Sequence, residues 1–293
     1  MSTTGRRSIR FYLPGMFNYL GERGLYPAIS ITGPSCELSC AHCQGHLLKD
    51  MIPARTPEDL VRIGLELEQE GNVGCLISGG SNAQGELDWA GFVGAIKTLK
   101  STTHLKISVH TGLVGPAAAA GLKDAGVDQV LIDVVGADQT LQLVCNLKLT
   151  TEAVYRSLQC LFEADLVVIP HILLGLHYGT IVGEYRALEM LGDFPVRELV
   201  FIILNPLPGT PMARTKPLEP SRLGDFIARA RDALPHAAVA LGCARPRDRS
   251  CFEYEKVAID GGVAKIAFPS EQAIDYARQL DMEVTYEKTC CSW

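Results

Sequence analysis

The chain has 293 residues, of which 47% are hydrophobic and 20% are charged, and its formal net charge is -6 at pH 7. This balance predicts a globular protein with a large core and argues against a general nucleic-acid or anionic-membrane binder, since both need a basic surface. No apolar run reaches the ~18 to 20 residues of a membrane span, and residues 1–15 show no signal-peptide pattern. We therefore expect a cytoplasmic protein with no membrane partner.

Short apolar runs alternate with helical patterns along most of the chain. Most of the runs are continuously apolar, which is typical of parallel strands covered on both faces. We predict strands at 26–32, 73–78, 105–110, 129–135, 166–174, 198–204, 237–243 and 263–268.

Helices are predicted between these strands. The clearest one has Thr56 as its N-cap, Pro57 at its first position and Gly71 as its stop signal. Further helical patterns lie at 90–99, 115–124, 151–163, 179–191, 220–234 and 271–280.

Eight strands that alternate with helices predict a (β/α)8 barrel of the TIM type. An open, doubly wound sheet is the alternative. We assign residues 1–25 to an N-terminal extension, 26–270 to the barrel, and 271–293 to a C-terminal helix and a cysteine-bearing tail that closes the barrel mouth. Catalytic groups of such barrels collect in the loops that follow the strands.

The ten cysteines fall into two kinds. A cytosolic chain rarely builds a disulfide framework, because its compartment keeps thiols reduced. Cys75, Cys145 and Cys160 stand singly in apolar patterns and are predicted to be small buried hydrophobes. The other seven form one group near the start and one near the end: Cys36, Cys40, Cys43, Cys243, Cys251, Cys290 and Cys291.

The first group lies in the stretch GPSCELSCAHCQGHLL, directly after the first predicted strand. Cys36, Cys40 and Cys43 could hold a 4Fe-4S cluster and leave one of its four irons open to a small molecule. Gly33 and Gly45 would allow the tight backbone path that this needs. A zinc knuckle is the alternative.

This CxxxCxxC motif resembles that of the radical S-adenosylmethionine (SAM) superfamily. The resemblance implies a 4Fe-4S cluster on Cys36, Cys40 and Cys43 as catalytic residues, with SAM on the open iron. It also implies a 5′-deoxyadenosyl radical, formed with an electron from a reductant such as ferredoxin or flavodoxin. SGGS at 78–81 is similar to the Gly-Gly-Glu stretch of the family, with Ser81 in place of the acid. The implied cofactor contacts are Ser78, Gly79, Gly80, Ser108, His110, Thr111, Gly175 and Pro206.

The loop NPLPGTPM at 205–212 is similar to that of biotin synthase, and the resemblance to this branch covers about residues 26–270. The stretches CELSCAHCQGHLL and HILLGLHYG and the Cys-Cys pair of the tail resemble one subunit of the two-subunit, biotin-synthase-like lipoyl synthases. Within HILLGLHYG, His171 and His177 are more typical of core residues than of ligands.

The lipoyl synthase resemblance implies sulfur insertion into an unactivated C–H bond of an octanoyl chain. That chain would be carried on a lipoyl domain or a glycine-cleavage carrier protein, and a companion radical SAM subunit would share the reaction.

The second group, Cys243, Cys251, Cys290 and Cys291, could hold an auxiliary 4Fe-4S cluster if the tail folds back over the barrel. Alternatively only one of the adjacent cysteines is a ligand, and Ser292 or an arginine completes the set. A zinc site and incidental thiols are the other interpretations. In sulfur-inserting enzymes of the family, such a cluster is consumed as the sulfur source.

Arg245, Arg247 and Arg249 predict either a solvated basic turn or a docking site for an acidic carrier domain. Two other functions stay open at this point. One is a radical SAM enzyme of the biotin synthase or hydrogenase-maturation type without sulfur insertion, and the other is a non-catalytic iron–sulfur or zinc protein.

Overall fold

The computed structural model describes residues 7–15, 18, 19, 21–248 and 250–293. Its strands, in chain order, are β1 (Ser8–Tyr12), β2 (Asn18–Tyr19), β3 (Glu22–Arg23), β4 (Ala28–Ser30), β5 (Ile52–Pro53), β6 (Gly74–Ser78), β7 (Lys106–His110), β8 (Gln129–Asp133), β9 (Val168–Leu174), β10 (Glu198–Ile203), β11 (Ala238–Leu241), β12 (Lys265–Ala267) and β13 (Glu283–Glu287).

The helices lie mainly between consecutive strands. They are α1 (Pro57–Gln69), α2 (Trp89–Thr102), α3 (Pro116–Asp124), α4 (Asp138–Leu143), α5 (Thr151–Glu163), α6 (Glu184–Leu191), α7 (Pro220–Ala233), α8 (Cys251–Asp260) and α9 (Glu271–Gln279), with a 3-10 helix at His46–Asp50.

Within the described part of the chain, eleven strands form one parallel sheet in the order β13-β1-β12-β11-β10-β9-β8-β7-β6-β4-β5. Each of the eight strands predicted from the sequence is present. Strands β1 and β13 also join the sheet, so it uses segments on both sides of the predicted barrel, 26–270. Residues 1–6, 16, 17 and 20 of the predicted N-terminal extension lie outside the described residues.

The closed (β/α)8 barrel of the prediction is corrected to a parallel half-barrel. A strand has two edges, and β4 uses both of its edges on β5 and β6, while β1 uses both on β12 and β13. The two edges of the described sheet are β13 and β5, and among the described residues no strand pairing joins them. Isolated backbone hydrogen bonds approach this gap, such as Leu25 N to Lys288 O at 2.8 Å.

The helices cover the outer face of the sheet because each has one apolar stripe. In α1, the side chain of Thr56 accepts a hydrogen bond from Asp59 N at 3.1 Å, as the N-cap pattern predicts. Leu60, Ile63 and Leu67 are buried on one face. A membrane-spanning helix would have to be longer and more apolar than any found in the ranges described above.

The tail, residues 288–293, lies inside the curve of the sheet. The Trp293 ring is 6.1 Å from the ring of Tyr26, just before β4, and Lys106 Nζ is 4.7 Å from the indole centroid. Lys106 begins β7, so this part of the tail lies at the amino-terminal ends of strands. The predicted tail that closes the mouth is thus corrected, because the loops of the mouth follow the carboxyl ends.

Candidate active site at the mouth of the half-barrel

The cysteine-bearing loop after β4 is shaped by its own backbone and by short polar contacts. The Ser30 hydroxyl donates to Gly33 O at 2.6 Å, and the Thr32 hydroxyl donates to Ser35 O at 2.9 Å. Gly33 and Gly45 have φ of 59° and 70°, a region that glycine enters without strain. These turns bring residues 36–43 back across the end of the sheet.

Two thiols and one imidazole of this loop form the start of a metal site. Cys40, His42 and Cys43 each offer a ligand atom, and the three atoms lie within 4.8 Å of one another. Cys36 Sγ is 3.8 Å from Ser81 O on the same side of the cavity. Soft thiolate donors beside an open cavity fit an iron–sulfur cluster that keeps one iron free.

The thiols of Cys40 and Cys43 are protonated when they hold no metal. A hydrogen bond with Cys145 raises the pKa of Cys40 to about 12, and a hydrogen bond with Cys40 together with burial raises the pKa of Cys43 to about 12. Metal binding must therefore release these protons.

The two glycines after β6 let the chain pass directly behind the cysteine loop. A Cβ on Gly80 would lie 2.0 Å from Ser35 O and 2.5 Å from Cys36 Cβ, so no larger residue fits. Gly80 N donates to the Thr32 hydroxyl at 2.7 Å. Ser78, Gly79 and Gly80, all predicted as cofactor contacts, line the same cavity as the three cysteines.

This cavity has about 270 Å³ of free volume and opens between the cysteine loop and the ends of β6 to β9. Aliphatic side chains form much of its wall: Leu38, Leu47, Leu48, Met51, Leu87, Leu113, Val134, Val135, Leu141, Leu147, Val154, Leu173 and Leu176. The cavity can therefore bury an apolar chain next to the thiols.

Three polar side chains lie together beside the cavity. His110 and Asp133 are the last residues of β7 and β8 and line the cavity, and His171 is in the middle of β9. His110 Nε2 is 3.5 Å from Asp133 Oδ1, and the two imidazole rings are 5.6 Å apart. Burial opposes ionisation of Asp133, but the charge of His110 outweighs it and lowers the pKa of Asp133 to about 2.

The two histidines of this group differ in protonation. Burial and then the charge of His110 lower the pKa of His171 to about 4. Burial also acts to lower the pKa of His110, but Asp133, with a smaller contribution from Cys290, raises it above its usual value. The group thus holds a fixed carboxylate, a neutral imidazole and an imidazole that readily takes a proton.

Four predicted cofactor contacts lie away from the cavity wall. Ser108 is fully buried and hydrogen-bonded to the hydroxyl of Tyr26 at 2.6 Å. Thr111 is fully buried, with its hydroxyl donating to Gly112 O at 2.8 Å. The remaining two, Gly175 and Pro206, lie in the loops after β9 and β10.

The loops after β9 and β10 nevertheless belong to the mouth. Gly175 has a φ of 76°, and its N–H donates to Glu184 Oε1 at 2.9 Å. Three residues beyond Pro206, a Cβ on Gly209 would lie 3.4 Å from the ring of His46, which follows the cysteine loop. The Pro-rich loop thus meets the cysteine loop across the opening.

The second cysteine group is only partly brought together. Cys243, Cys290 and Cys291 pack in or against one cluster inside the sheet, together with Tyr12 and Phe268. Cys251 instead begins α8 in the outer helical layer and does not pack in this inner cluster among the described residues.

Several residues of the site had no motif to reveal them. Asp133 is the last residue of β8 and follows the apolar run at 130–132, which is a usable signal at the carboxyl end of a strand. Cys145 is buried, as predicted, but it also lines the cavity and contacts Cys40, whose thiol lies 3.5 Å from Cys145 O. Glu184 is buried and accepts three backbone N–H groups, from Gly175, Val182 and Gly183.

Of the three arginines for which the sequence predicts either a solvated basic turn or a docking site, Arg245 is buried and Arg247 is exposed. The Arg245 side chain has no exposed area and donates to Gly242 O, Glu255 and Phe268 O. Arg247 also donates to Phe268 O, at 2.7 Å. Arg249 lies outside the described residues.

Comparisons with known proteins agree with this site. A family model described as the radical SAM superfamily matches residues 30–182. The chain is 23% identical over 231 residues to biotin synthase from Acetivibrio thermocellus, across 75% of this chain and 70% of that protein. It is 27% identical over 227 residues to biotin synthase from Cenarchaeum symbiosum, across 74% and 69%.

Solved structures with a similar fold include HydG, a maturase of FeFe-hydrogenase, with a TM-score of 0.64 and 16% identity. That match covers 94% of this chain, which spans 63% of HydG. Methylornithine synthase (PylB) matches with a TM-score of 0.61 and 15% identity, across 91% of this chain and 85% of that one. At these identities the likeness supports the fold alone.

Proposed function

Because the chain belongs to the radical SAM superfamily, we propose that it inserts sulfur into an unactivated C–H bond of an octanoyl chain carried on a protein. The carrier would be a lipoyl domain or a glycine-cleavage carrier protein. A companion radical SAM subunit would share the reaction, and a ferredoxin or flavodoxin would supply electrons.

The observation that carries this proposal is the position of the aliphatic cavity. Its wall contains Cys36, Cys40 and Cys43, and its base contains His110, which interacts electrostatically with Cys290 of the tail. An apolar chain in the cavity would therefore lie against Cys36, Cys40 and Cys43 and reach His110, whose pKa Cys290 of the tail helps to raise. A saturated acyl chain offers no polar group to bind, so its recognition must come from burial, at roughly 0.8 kcal/mol per CH₂.

When bound, a 4Fe-4S cluster and SAM would supply a 5′-deoxyadenosyl radical, which takes a hydrogen atom from the chain, and an auxiliary 4Fe-4S cluster would supply the sulfur. Cys36, Cys40 and Cys43 would hold the first cluster. The leucines of the cavity would position the chain and exclude water. A carbon radical requires such a water-free site to avoid side reactions.

Iron counting and product analysis together test this function. Anaerobically reconstituted protein is expected to hold about eight irons, falling to about four in the C36A/C40A/C43A variant. With SAM, a strong reductant and an octanoyl-lysyl peptide, mass spectrometry should find a peptide heavier by one sulfur atom. Protein reconstituted with heavy-isotope sulfide should pass that isotope to the product, and Cys160→Ala serves as the matched cysteine control.

A second candidate is a radical SAM enzyme of the biotin synthase or hydrogenase-maturation type that does not insert sulfur into an octanoyl chain. Its support is the similarity to biotin synthases over 74–75% of this chain. SAM cleavage with no sulfur in any octanoyl product, and no loss of auxiliary sulfide in turnover, would favour this candidate over the first.

A further inference from the structure

The tail is fixed inside the half-barrel by specific hydrogen bonds and by burial of its side chains. Its backbone turns back at the adjacent cysteines, where Trp293 N donates to Cys290 O at 3.1 Å. Cys291 and Ser292 are each 2% exposed. The Tyr12 hydroxyl donates to the main-chain oxygen of Trp293.

Trp293 and Ser292 are held by a chain of polar side chains, Gln129 on β8, Ser108 on β7 and Tyr26 just before β4. With its oxygen turned toward the tail, the amide of Gln129 accepts hydrogen bonds from the Ser292 hydroxyl at 2.7 Å and the Trp293 indole N–H at 3.1 Å. The same oxygen accepts from Ser108, which contacts the Tyr26 hydroxyl.

The indole ring of Trp293 contacts a cation and a second aromatic ring. Lys106 Nζ lies 4.7 Å from its centroid, within the range of a cation–π contact, and Tyr26 meets it edge-on at 6.1 Å. Tyr12 is on β1, Tyr26 precedes β4, and Lys106 is on β7. One residue that reaches all three must lie within the concave face of the sheet.

The cysteines of the tail are placed by this anchoring. Cys291 packs with Leu131, Ile169 and Val200, which face inward from β8, β9 and β10. The thiols of Cys290 and Cys291 hydrogen-bond each other, and both interact electrostatically with Cys243 after β11. Two segments far apart in the sequence thus bring three thiols to one apolar cluster, where Cys291 is buried and Cys243 and Cys290 are partly exposed.

We propose that Trp293 is a positioning residue that locks the tail inside the half-barrel, and that Cys243, Cys290 and Cys291, without Cys251, form the inner thiol site that takes the auxiliary cluster. This rests on the proposed function for its cluster, but the placement of the tail can be measured without any metal.

The first test uses iron-free protein and alkylation by iodoacetamide, read at each cysteine by mass spectrometry. Trp293→Ala should speed the labelling of Cys290 and Cys291 by about tenfold or more, because the tail opens without global unfolding. Trp293→Phe should restore most of the protection, since a ring still fills the site. Tyr286→Ala, an exposed aromatic on β13 just before the tail, is the matched control and should label like the wild type.

The second test uses reconstituted protein. Trp293→Ala should lose about four irons and the electron paramagnetic resonance signal of the second cluster, while SAM cleavage stays within about threefold of the wild type. If Trp293→Ala proves insoluble, Lys106→Leu removes only the cation over the indole and should still speed labelling of Cys290 and Cys291.

The outcomes separate the two proposals. Unchanged labelling in both Trp293→Ala and Lys106→Leu overturns the positioning role. If wild-type protein holds only about four irons while Trp293→Ala still exposes the tail thiols, the auxiliary cluster and sulfur insertion fail, but the anchoring stands. If Cys251→Ala loses iron as Cys243→Ala does, the three-cysteine set is wrong.

Discussion

The mouth site and the inner site are both built from cysteine, but they are assembled in opposite ways. Cys36, Cys40 and Cys43 lie on one loop, where short turns and two glycines bring the thiols together. Cys243, Cys290 and Cys291 come from the loop after β11 and from the tail, and they meet only because the whole sheet curves around the tail. The first site is therefore a property of local sequence, and the second is a property of the fold.

The sharpest way to break the mouth site alone is Gly80→Ala. The added methyl would lie 2.0 Å from Ser35 O and 2.5 Å from Cys36 Cβ, and neither backbone can move away without displacing the cysteine loop. We expect loss of the SAM-binding cluster and a fall in SAM cleavage of about 100-fold or more. Iron content and release of 5′-deoxyadenosine measure both effects.

Gly94→Ala is the control for that variant. Gly94 lies in α2 with nothing near its missing Cβ, so alanine should raise stability by roughly 0.5–1 kcal/mol and leave SAM cleavage unchanged. In Gly80→Ala, alkylation of Cys290 and Cys291 should match the wild type. Faster labelling there would show that the two sites are not independent.

This contrast also explains what the sequence could reveal. The three-cysteine motif and the glycines of SGGS are local, so their positions around one cavity follow from adjacent strands. The parallel strands were equally readable, because each is a continuous apolar run. The grouping of residues 243, 290 and 291 is not local, since it depends on strand curvature and on which end of the barrel the tail enters.

The sequence also could not predict that the barrel is partly open. Strands β1 and β13 lie at opposite ends of the chain, and their apolar patterns are too short to predict that they pair in parallel. Cys251 shows the same limit. Its spacing from Cys243 suggested a shared ligand set, but helix α8 begins at this residue and places it in the outer layer.

Arg245→Met should destabilise the part of the fold that holds Cys243 of the inner site. Arg245 and Glu255 form an ion pair with no exposed side-chain area, and Arg245 also donates to Gly242 O beside Cys243. Removing one partner leaves a buried charge, so we expect a loss of about 3–5 kcal/mol in the free energy of unfolding, measured with urea on the metal-free protein.

Two control variants test the cause of the stability loss in Arg245→Met. Arg245→Met combined with Glu255→Met should recover much of the loss, because no unpaired charge remains. Arg62→Met breaks the exposed pair with Glu66 and should change the free energy of unfolding far less than Arg245→Met does. A loss for Arg245→Met as small as that for Arg62→Met would contradict a buried ion pair.

The polar group between the two sites should make stability depend on pH. The folded-state pKa of His171 is about 4, below the ~6.5 of an unfolded histidine, so the unfolded state binds the proton first as pH falls. Stability from this group is complete above pH ~6.5 and is lost toward pH 4, by up to about 3 kcal/mol. His110, whose pKa is raised, acts in the opposite sense: its contribution is lost as pH rises.

His171→Gln isolates this effect, since glutamine does not titrate. The difference in unfolding free energy between wild type and His171→Gln should change by about 3 kcal/mol between pH 7 and pH 4. His236→Gln, at an exposed histidine, is the matched control and should follow the wild-type curve. A difference that does not vary with pH would mean that His171 is not buried in its neutral form.

The smallest effect should come from Cys251→Ala. If Cys251 is not a ligand of the inner site, removing its thiol should leave the iron content unchanged. The residue is the first of α8, after the N-cap Ser250, and fills little volume, so we expect a cost of about 1 kcal/mol or less in stability. Iron content and SAM cleavage should stay at wild-type levels, whereas Cys243→Ala should lose about four irons. Equal iron loss in both variants would mean that α8 rearranges to place Cys251 beside the tail, so that the inner site is assembled only when the cluster binds.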